Sequence, residues 1–304
     1  MSGHDSSTKA IMYAFLANFG IAIAKGIAAW ITLSGSMLAE TVHSFADCIN
    51  QLLLFLGLKR SQRPPDANHP LGYGKSIYFW SFIVAFLLFS VGGLFSIYEG
   101  AHKLTHPDPE GLKDAWIALT VLLVSIGLEG FSLLGALREV KKLRGDRPIK
   151  EWIKRTRRAE LIVVLGEDTA ALLGLTVAFV FVLLAQQTGN LVYDAVGSIS
   201  IGGILIIISL FLIVRVKSLL IGHSADPDLE AMIHKEITVD KHIEKVFNII
   251  TLQFGPQVML AAKIKIKGDV NIDEACRIIN QLERRIRKEF SEIRWIFMEP
   301  DIED

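Results

Sequence analysis

His43-Ser44-Phe45-Ala46-Asp47, set inside the apolar run Met37–Leu58, decides how this chain is read. A charged side chain at bilayer depth costs about 2.5 to 3.5 kcal/mol or more, so residues of this kind face a pathway, a partner or a metal ion. On a helix the imidazole and the carboxylate stand at i and i+4 on one face, where they can grip one ion together. Glu40 extends that face by one turn, and it also lies near the membrane edge, where water can solvate it. A second acidic pair, Glu167-Asp168, sits inside the apolar run Ala159–Ala185.

Working outward, the 304 residues are 51% hydrophobic, too apolar for an ordinary soluble protein. Apolar runs long enough to cross a bilayer read as Ala10–Leu33, Met37–Leu58, Ile77–Tyr98, Ala115–Leu137, Ala159–Ala185 and Leu191–Leu220. The link Ser34-Gly35-Ser36 is so short that the first two spans must form an antiparallel hairpin. Gly92, Gly93, Gly197, Gly202 and Gly203 lie within spans, as expected where helices approach closely in lipid.

The net charge is zero, so no global basic surface points to nucleic acid. The charge is segregated instead. Ten Lys and Arg residues crowd 138–158 and four lie in 59–75, whereas the connections at 34–36 and 186–190 carry none. This asymmetry places both termini and the two basic loops in the cytoplasm. Anionic lipid headgroups are the default partner of the 138–158 segment. Cys48 and Cys276 fit no paired pattern and read as reduced thiols. Residues 1–9 have no signal-peptide layout, which favours a bacterial inner membrane.

After His223 the character changes. Asp226-Pro227-Asp228 caps a helix running to about Val239; Val246–Phe254 and Val258–Lys267 read as strands around the Gly255-Pro256 turn. Asn271–Phe290 has helical spacing, and Ile293–Met298 reads as a last strand. The expected organisation is therefore a membrane all-α bundle of six helices over 1–222, joined to a small cytoplasmic α/β domain (α-β-β-α-β) over 223–304. His234 and His242 lie eight apart on its first helical stretch, too far to share one ion.

In the fifth span Asp168 completes a His43, Asp47, Asp168 set if the helices abut. Glu167, rotated about 100° from it, is open to a neighbouring helix, water or the metal. Nitrogen and carboxylate donors suit zinc, and also manganese, iron, cobalt and nickel. Lys25 balances the carboxylates, snorkels or makes a structural pair. Glu129, mid-span in the fourth run, pairs with Lys25 or relays protons. Asp194 caps the sixth span. A divalent ion needs deprotonated ligands, so its arrival in such a pocket expels protons and its departure recovers them.

These motifs, taken in order, resemble the cation diffusion facilitator family: Ser34-Gly35-Ser36, Glu40 and His-x-x-x-Asp in the second span. Asp66-Ala67-Asn68-His69-Pro70-Leu71-Gly72-Tyr73-Gly74-Lys75 is similar to that family's histidine-glycine loop, and Tyr193-Asp194-Ala195-Val196-Gly197-Ser198 opens the sixth span. The resemblance implies a homodimeric exporter of divalent metals driven by counter-flowing protons. It implies a transport site matching His43, Asp47 and Asp168, and a second, interfacial site matching Asp66 and His69. There are departures. The family's fifth span carries a histidine four residues before the aspartate, where this chain has Val164, and Glu167 is placed to compensate. Tyr73 replaces a histidine of some members. Phe247-Asn248 and Phe297-Met298-Glu299 stand where histidines are common, leaving dimerisation as the C-terminal domain's main role. The pattern resembles the divergent branch that contains the ninth human zinc transporter.

The expected function is thus a proton–metal antiporter, zinc first, that needs no cofactor; Glu40, Glu129 and Lys25 are its pathway candidates. Two other classes are weighed against it. One is a membrane metal sensor or scaffold that transports nothing. The other is an intramembrane metalloenzyme, against which stands the absence of HExxH, GxSxG or a nucleophile beside a base.

Overall fold

The structure, a computed structural model, describes residues 18–106 and 115–303. Helix α1 runs Asn18–Thr32 and is the described part of the expected first span; residues 10–17 of that span lie outside the described residues. Five further helices are long and apolar enough to cross a membrane: α2 Gly35–Ser61, α3 Ser76–Thr105, α4 Ala115–Arg144, α6 Ala159–Thr188 and α7 Val192–Ile221. The expected spans therefore recur, with α2, α3, α4 and α6 each a few residues longer than its apolar run and α7 the same length shifted by one residue. In lipid a backbone satisfies its hydrogen bonds internally, so the helix continues until water is available. A short helix, α5 Ile149–Arg155, lies within the basic segment read as a loop.

The chain divides into two compact units. The first holds residues up to Gly57, Trp80–Asp146 and Glu160–Arg215; the second holds Leu58–Phe79, Arg147–Ala159 and Val216–Asp304.

In the first unit the α1–α2 turn is bound by a neighbouring helix. Leu33 takes a left-handed φ of 54°, and α2 begins two residues later. Ser34 caps α2, its Oγ accepting from the Met37 N–H at 3.1 Å. The Asp194 carboxylate accepts from Ser34 Oγ and the Gly35 N–H, both at 2.6 Å, and from the Ser36 N–H at 3.2 Å. Lys103 of α3 stands 3.8 Å from Asp194 and also donates to the Leu33 carbonyl. The expectation that Asp194 caps its own span is therefore corrected. A three-residue turn leaves the first N–H groups of α2 without local acceptors, and Asp194 supplies them from α7. Further along, α3 contains a π-helical stretch, Leu88–Leu94, where it crosses α7. There a Cβ on Gly202 would stand 2.6 Å from the Gly93 carbonyl, so the two backbones touch.

In the second unit a sheet of order β1-β2-β3 is built from β1 Ile243–Phe254, β2 Gln257–Ile266 and β3 Ile293–Pro300. β1 and β2 pair antiparallel around the expected turn, while β2 and β3 pair parallel across helix α9, Ile272–Glu289. Helix α8, Pro227–Thr238, begins at the expected cap: Asp226 accepts from the Asp228 N–H, and Pro227 stands where a missing N–H costs nothing. Leu229, Ile233 and Ile237 of α8 and Ile278, Leu282 and Ile286 of α9 bury their faces with Val258, Leu260, Ala262 and Ile264 of β2.

His242 lies past the end of α8 rather than on it, because the helix stops at Thr238. Its backbone N–H donates to Asp240 at 2.8 Å, and Arg285 stands 2.8 Å from the same carboxylate. Against the upward push of partial burial, the His242 backbone and the Arg285 guanidinium hold Asp240 below the ordinary carboxylate range. Three arginines of the basic segment are bound within this unit. Arg147 pairs with Asp226 at 3.7 Å, Arg155 with Asp228 at 3.3 Å, and Arg157 donates to the Ser224 carbonyl at 2.8 Å. The start of α3 is held in the same unit: Tyr78 donates to the Gly255 carbonyl at 3.3 Å, and Lys75 lies over the Phe254 ring.

Candidate functional site

On α2 the polar residues Glu40, His43, Asp47 and Asn50 recur at helical spacing, and all four are buried. His43 Nδ1 stands 3.5 Å from Asp47 Oδ1, as i and i+4 predict. Among the described residues neither His43 ring nitrogen makes a hydrogen bond, and Asp47 Oδ1 and Asn50 Oδ1 are likewise without one. Buried polar atoms are seldom left unpaired, so a cluster of them marks a place for a polar occupant. Gly92, in the π-helical stretch of α3, lies beside the His43 ring. Irregular turns of this type collect at functional sites.

From α6 it is Glu167 that reaches this face. Its carboxyl stands beside that of Asp47, and Asn50 Nδ2 donates to it at 3.3 Å. Asp168 points elsewhere, accepting from Ser132 Oγ of α4 at 3.3 Å. Consecutive helical residues diverge by about 100°, so only one of the two acids can face α2. The structure thus brings Glu167 beside Asp47 and gives Asp168 the Ser132 hydroxyl as its partner. Val164, one turn before Asp168, shares that residue's direction; the residue one turn before Glu167 is Val163, which is fully buried. Among the described residues the side chains meet in pairs, and no three His, Cys, Asp or Glu side chains converge to ion-binding spacing.

Lys25 is paired with Glu40 at 3.2 Å and donates to Ser44 Oγ at 2.7 Å. The expected pairing of Lys25 with Glu129 is not what forms, because Glu40 and Ser44 take the ammonium. Glu129 is half-buried, and among the described residues no hydrogen bond or ion pair reaches it.

In the 66–75 loop, Asp66 and His69 do lie together, with Nδ1 3.4 Å from Oδ1. The carboxylate is already committed to the loop itself. It accepts from the Tyr73 hydroxyl at 2.6 Å and from the Asn68 and His69 N–H groups at 3.0 and 2.8 Å. The Tyr73 bond, with those N–H groups, holds Asp66 below its ordinary range, and the same bond raises Tyr73. Tyr73 is therefore the loop's closing donor.

Asn50 and Ser44 are the participants that sequence reasoning missed. Asn50 extends the Glu40, His43, Asp47 series by three residues, so its position was legible; its partner was not.

Together these features define a multi-pass helical membrane protein with a buried imidazole–carboxylate cluster between α2 and α6. The chain belongs to the cation efflux family. Residues 11–221 match the cation efflux transmembrane domain, and 225–300 match the cytoplasmic domain of cation efflux proteins. It is 32% identical to metal tolerance protein C4 of Arabidopsis thaliana over 94% of this chain and 62% of that protein. It is 33% identical to the human mitochondrial proton-coupled zinc antiporter SLC30A9 over 84% of this chain and 44% of that one. The manganese efflux system protein MneP of Bacillus subtilis is 23% identical over 96% of this chain and 95% of its own. The chain thus spans 62% and 44% of the length of the first two relatives.

Proposed function

We propose that the chain exports divalent metal from the cytoplasm in exchange for protons, by alternating access, and that His43, Asp47 and Glu167 hold the ion, with Asn50 orienting Glu167. The observation that carries this reading is the closeness of the buried Asp47 and Glu167 carboxyls to an imidazole whose two nitrogens have no hydrogen-bond partner among the described residues. Two carboxylates in contact repel unless a proton or a cation lies between them. A divalent ion that takes that place releases the proton, and departure of the ion recovers it, which is exchange. Asp168 stands outside the ligand set and keeps a structural bond to Ser132.

Zinc is the first candidate cargo, on the donor types and on the zinc antiporters among the relatives. Manganese, iron, cobalt and nickel follow, because one nitrogen and two carboxylates also suit harder ions. The domain division proposed is a transport domain over 1–222 and a cytoplasmic dimerising domain over 223–304, in a homodimer with both termini cytoplasmic in a bacterial inner membrane. The 66–75 loop serves chiefly to close on itself, with Asp66 and His69 a secondary metal site at most. Lysines and arginines of the 138–158 segment outside the Arg147, Arg155 and Arg157 contacts face lipid headgroups.

Metal-driven proton movement in proteoliposomes tests the reading. Asp47→Asn and Glu167→Gln each reduce exchange to the level of protein-free vesicles, whereas Asp168→Asn retains it. Exchange that survives Glu167→Gln in a folded protein removes Glu167 from the site. The sensor and enzyme alternatives predict no flux in the wild type.

A further inference from the structure

Above His43 on α2 lies an ion pair that the exchange reading does not use. Lys25 and Glu40 are 1% and 0% exposed, a depth at which charged residues are rare unless paired. The Lys25 ammonium donates to Glu40 Oε2 at 3.2 Å and to Ser44 Oγ at 2.7 Å. It therefore sits between a carboxylate and a hydroxyl as a cation sits between oxygen ligands. Among the described residues Glu40 Oε1 makes no hydrogen bond although fully buried. It presses against α6 at Gly174, where a Cβ would stand only 2.6 Å from that oxygen. Glu40 and His43 are three residues apart on one face, roughly 4.5 Å along the helix axis.

We propose that Glu40 and Ser44 form a second cation site in the membrane and that the Lys25 ammonium fills it as a tethered occupant, so that removing this charge opens the site to a divalent ion. The inference rests on the reading of His43, Asp47 and Glu167 as the transport site. A lysine suits the role because its ammonium is a compact point charge with three donors on a flexible stem. Two of the donors are used here. The consequence for transport is a limit on charge. With one positive charge permanently supplied at Glu40, the pathway takes one divalent ion rather than two, and Glu40 is neutralised without drawing on the cargo.

Equilibrium zinc binding to the full chain in detergent, measured by calorimetry, tests this. Lys25→Met is expected to bind one zinc ion more per chain than the wild type, and Lys25→Met/Glu40→Gln to lose that additional ion. Lys25→Arg, which keeps the charge, is expected to match the wild type. A Lys25→Met protein with the wild-type number of zinc ions overturns the proposal. If Lys25→Met does not fold, Glu40→Gln decides: the ammonium is then unpaired beside the transport site, and the KM for zinc is expected to rise about tenfold with kcat little changed. An unchanged KM in Glu40→Gln overturns the proposal equally. Asp47→Asn separates the two readings. Wild-type zinc binding that is insensitive to Asp47→Asn refutes the transport site, whereas the Glu40-dependent difference speaks to the tethered cation alone.

Discussion

Replacing Asp194 should destabilise the bundle more than any other single change outside the His43–Asp47–Glu167 cluster. Its carboxylate accepts from Ser34 Oγ, the Gly35 N–H and the Ser36 N–H at 2.6, 2.6 and 3.2 Å, and it is 2% exposed. A hydrogen bond to a charged group contributes about 1.5 to 3 kcal/mol, and a buried donor left open adds a desolvation cost of similar size. Three such bonds in one carboxylate are not independent, so the sum is discounted, and Asp194→Ala is expected to cost about 4 kcal/mol. Asp194→Asn keeps one acceptor oxygen and loses the charge beside Lys103, so about half of that loss is expected. Ser34→Ala removes the Met37 cap and one of the three donors, and about 1 to 2 kcal/mol is expected. The assay is denaturant unfolding of the detergent-solubilised chain followed by tryptophan fluorescence. An Asp194→Ala protein within about 1 kcal/mol of wild type would refute the view that α7 supplies the cap of α2.

Two further outcomes follow from particular positions. Val163 lies one turn from Glu167, so Val163→His places an imidazole beside the proposed site and should shift the zinc-to-manganese flux ratio towards zinc. Val164→His, on the Asp168 side, should leave that ratio unchanged; the reverse pattern would return Asp168 to the site. In the C-terminal domain, Asp240 is held below its ordinary value of 3.8 by the His242 N–H and Arg285 against partial burial. A lowered carboxylate binds its proton less tightly folded than unfolded, so its contribution is present above the ordinary value and is lost as pH falls through the folded one. With Arg285 partly exposed, that contribution is about 1 kcal/mol. The advantage of wild type over Asp240→Asn in amide protection of α9 should therefore be clear at about pH 6 and shrink as pH falls below the ordinary carboxylate range. An advantage that persists at low pH would show that the carboxylate is not its source.

Much was determined along the chain itself. Length and apolarity locate spans because a bilayer demands about 20 residues of self-satisfied backbone, and that rule needs no neighbour. Asp226-Pro227 announced α8, and the alternation of β2 and the spacing of α9 announced the C-terminal α-β-β-α-β order, because caps and periodicities are local. The face Glu40, His43, Asp47 was equally legible, since four-residue spacing on one helix is a property of that helix alone. Which acid of α6 meets it was not. Glu167 and Asp168 are neighbours in a helix whose most apolar 18-residue window has a mean hydropathy of 2.2. Such a helix has no polar face to set its rotation, and packing against α2 and α4 turned Glu167 inward and Asp168 towards Ser132. The same holds for Asp194, spent on the start of α2 rather than its own, and for Lys25, paired with Glu40 rather than Glu129. Each is a choice among partners far apart in sequence, and only the tertiary arrangement of helices brings one within bonding distance and leaves the others out of reach.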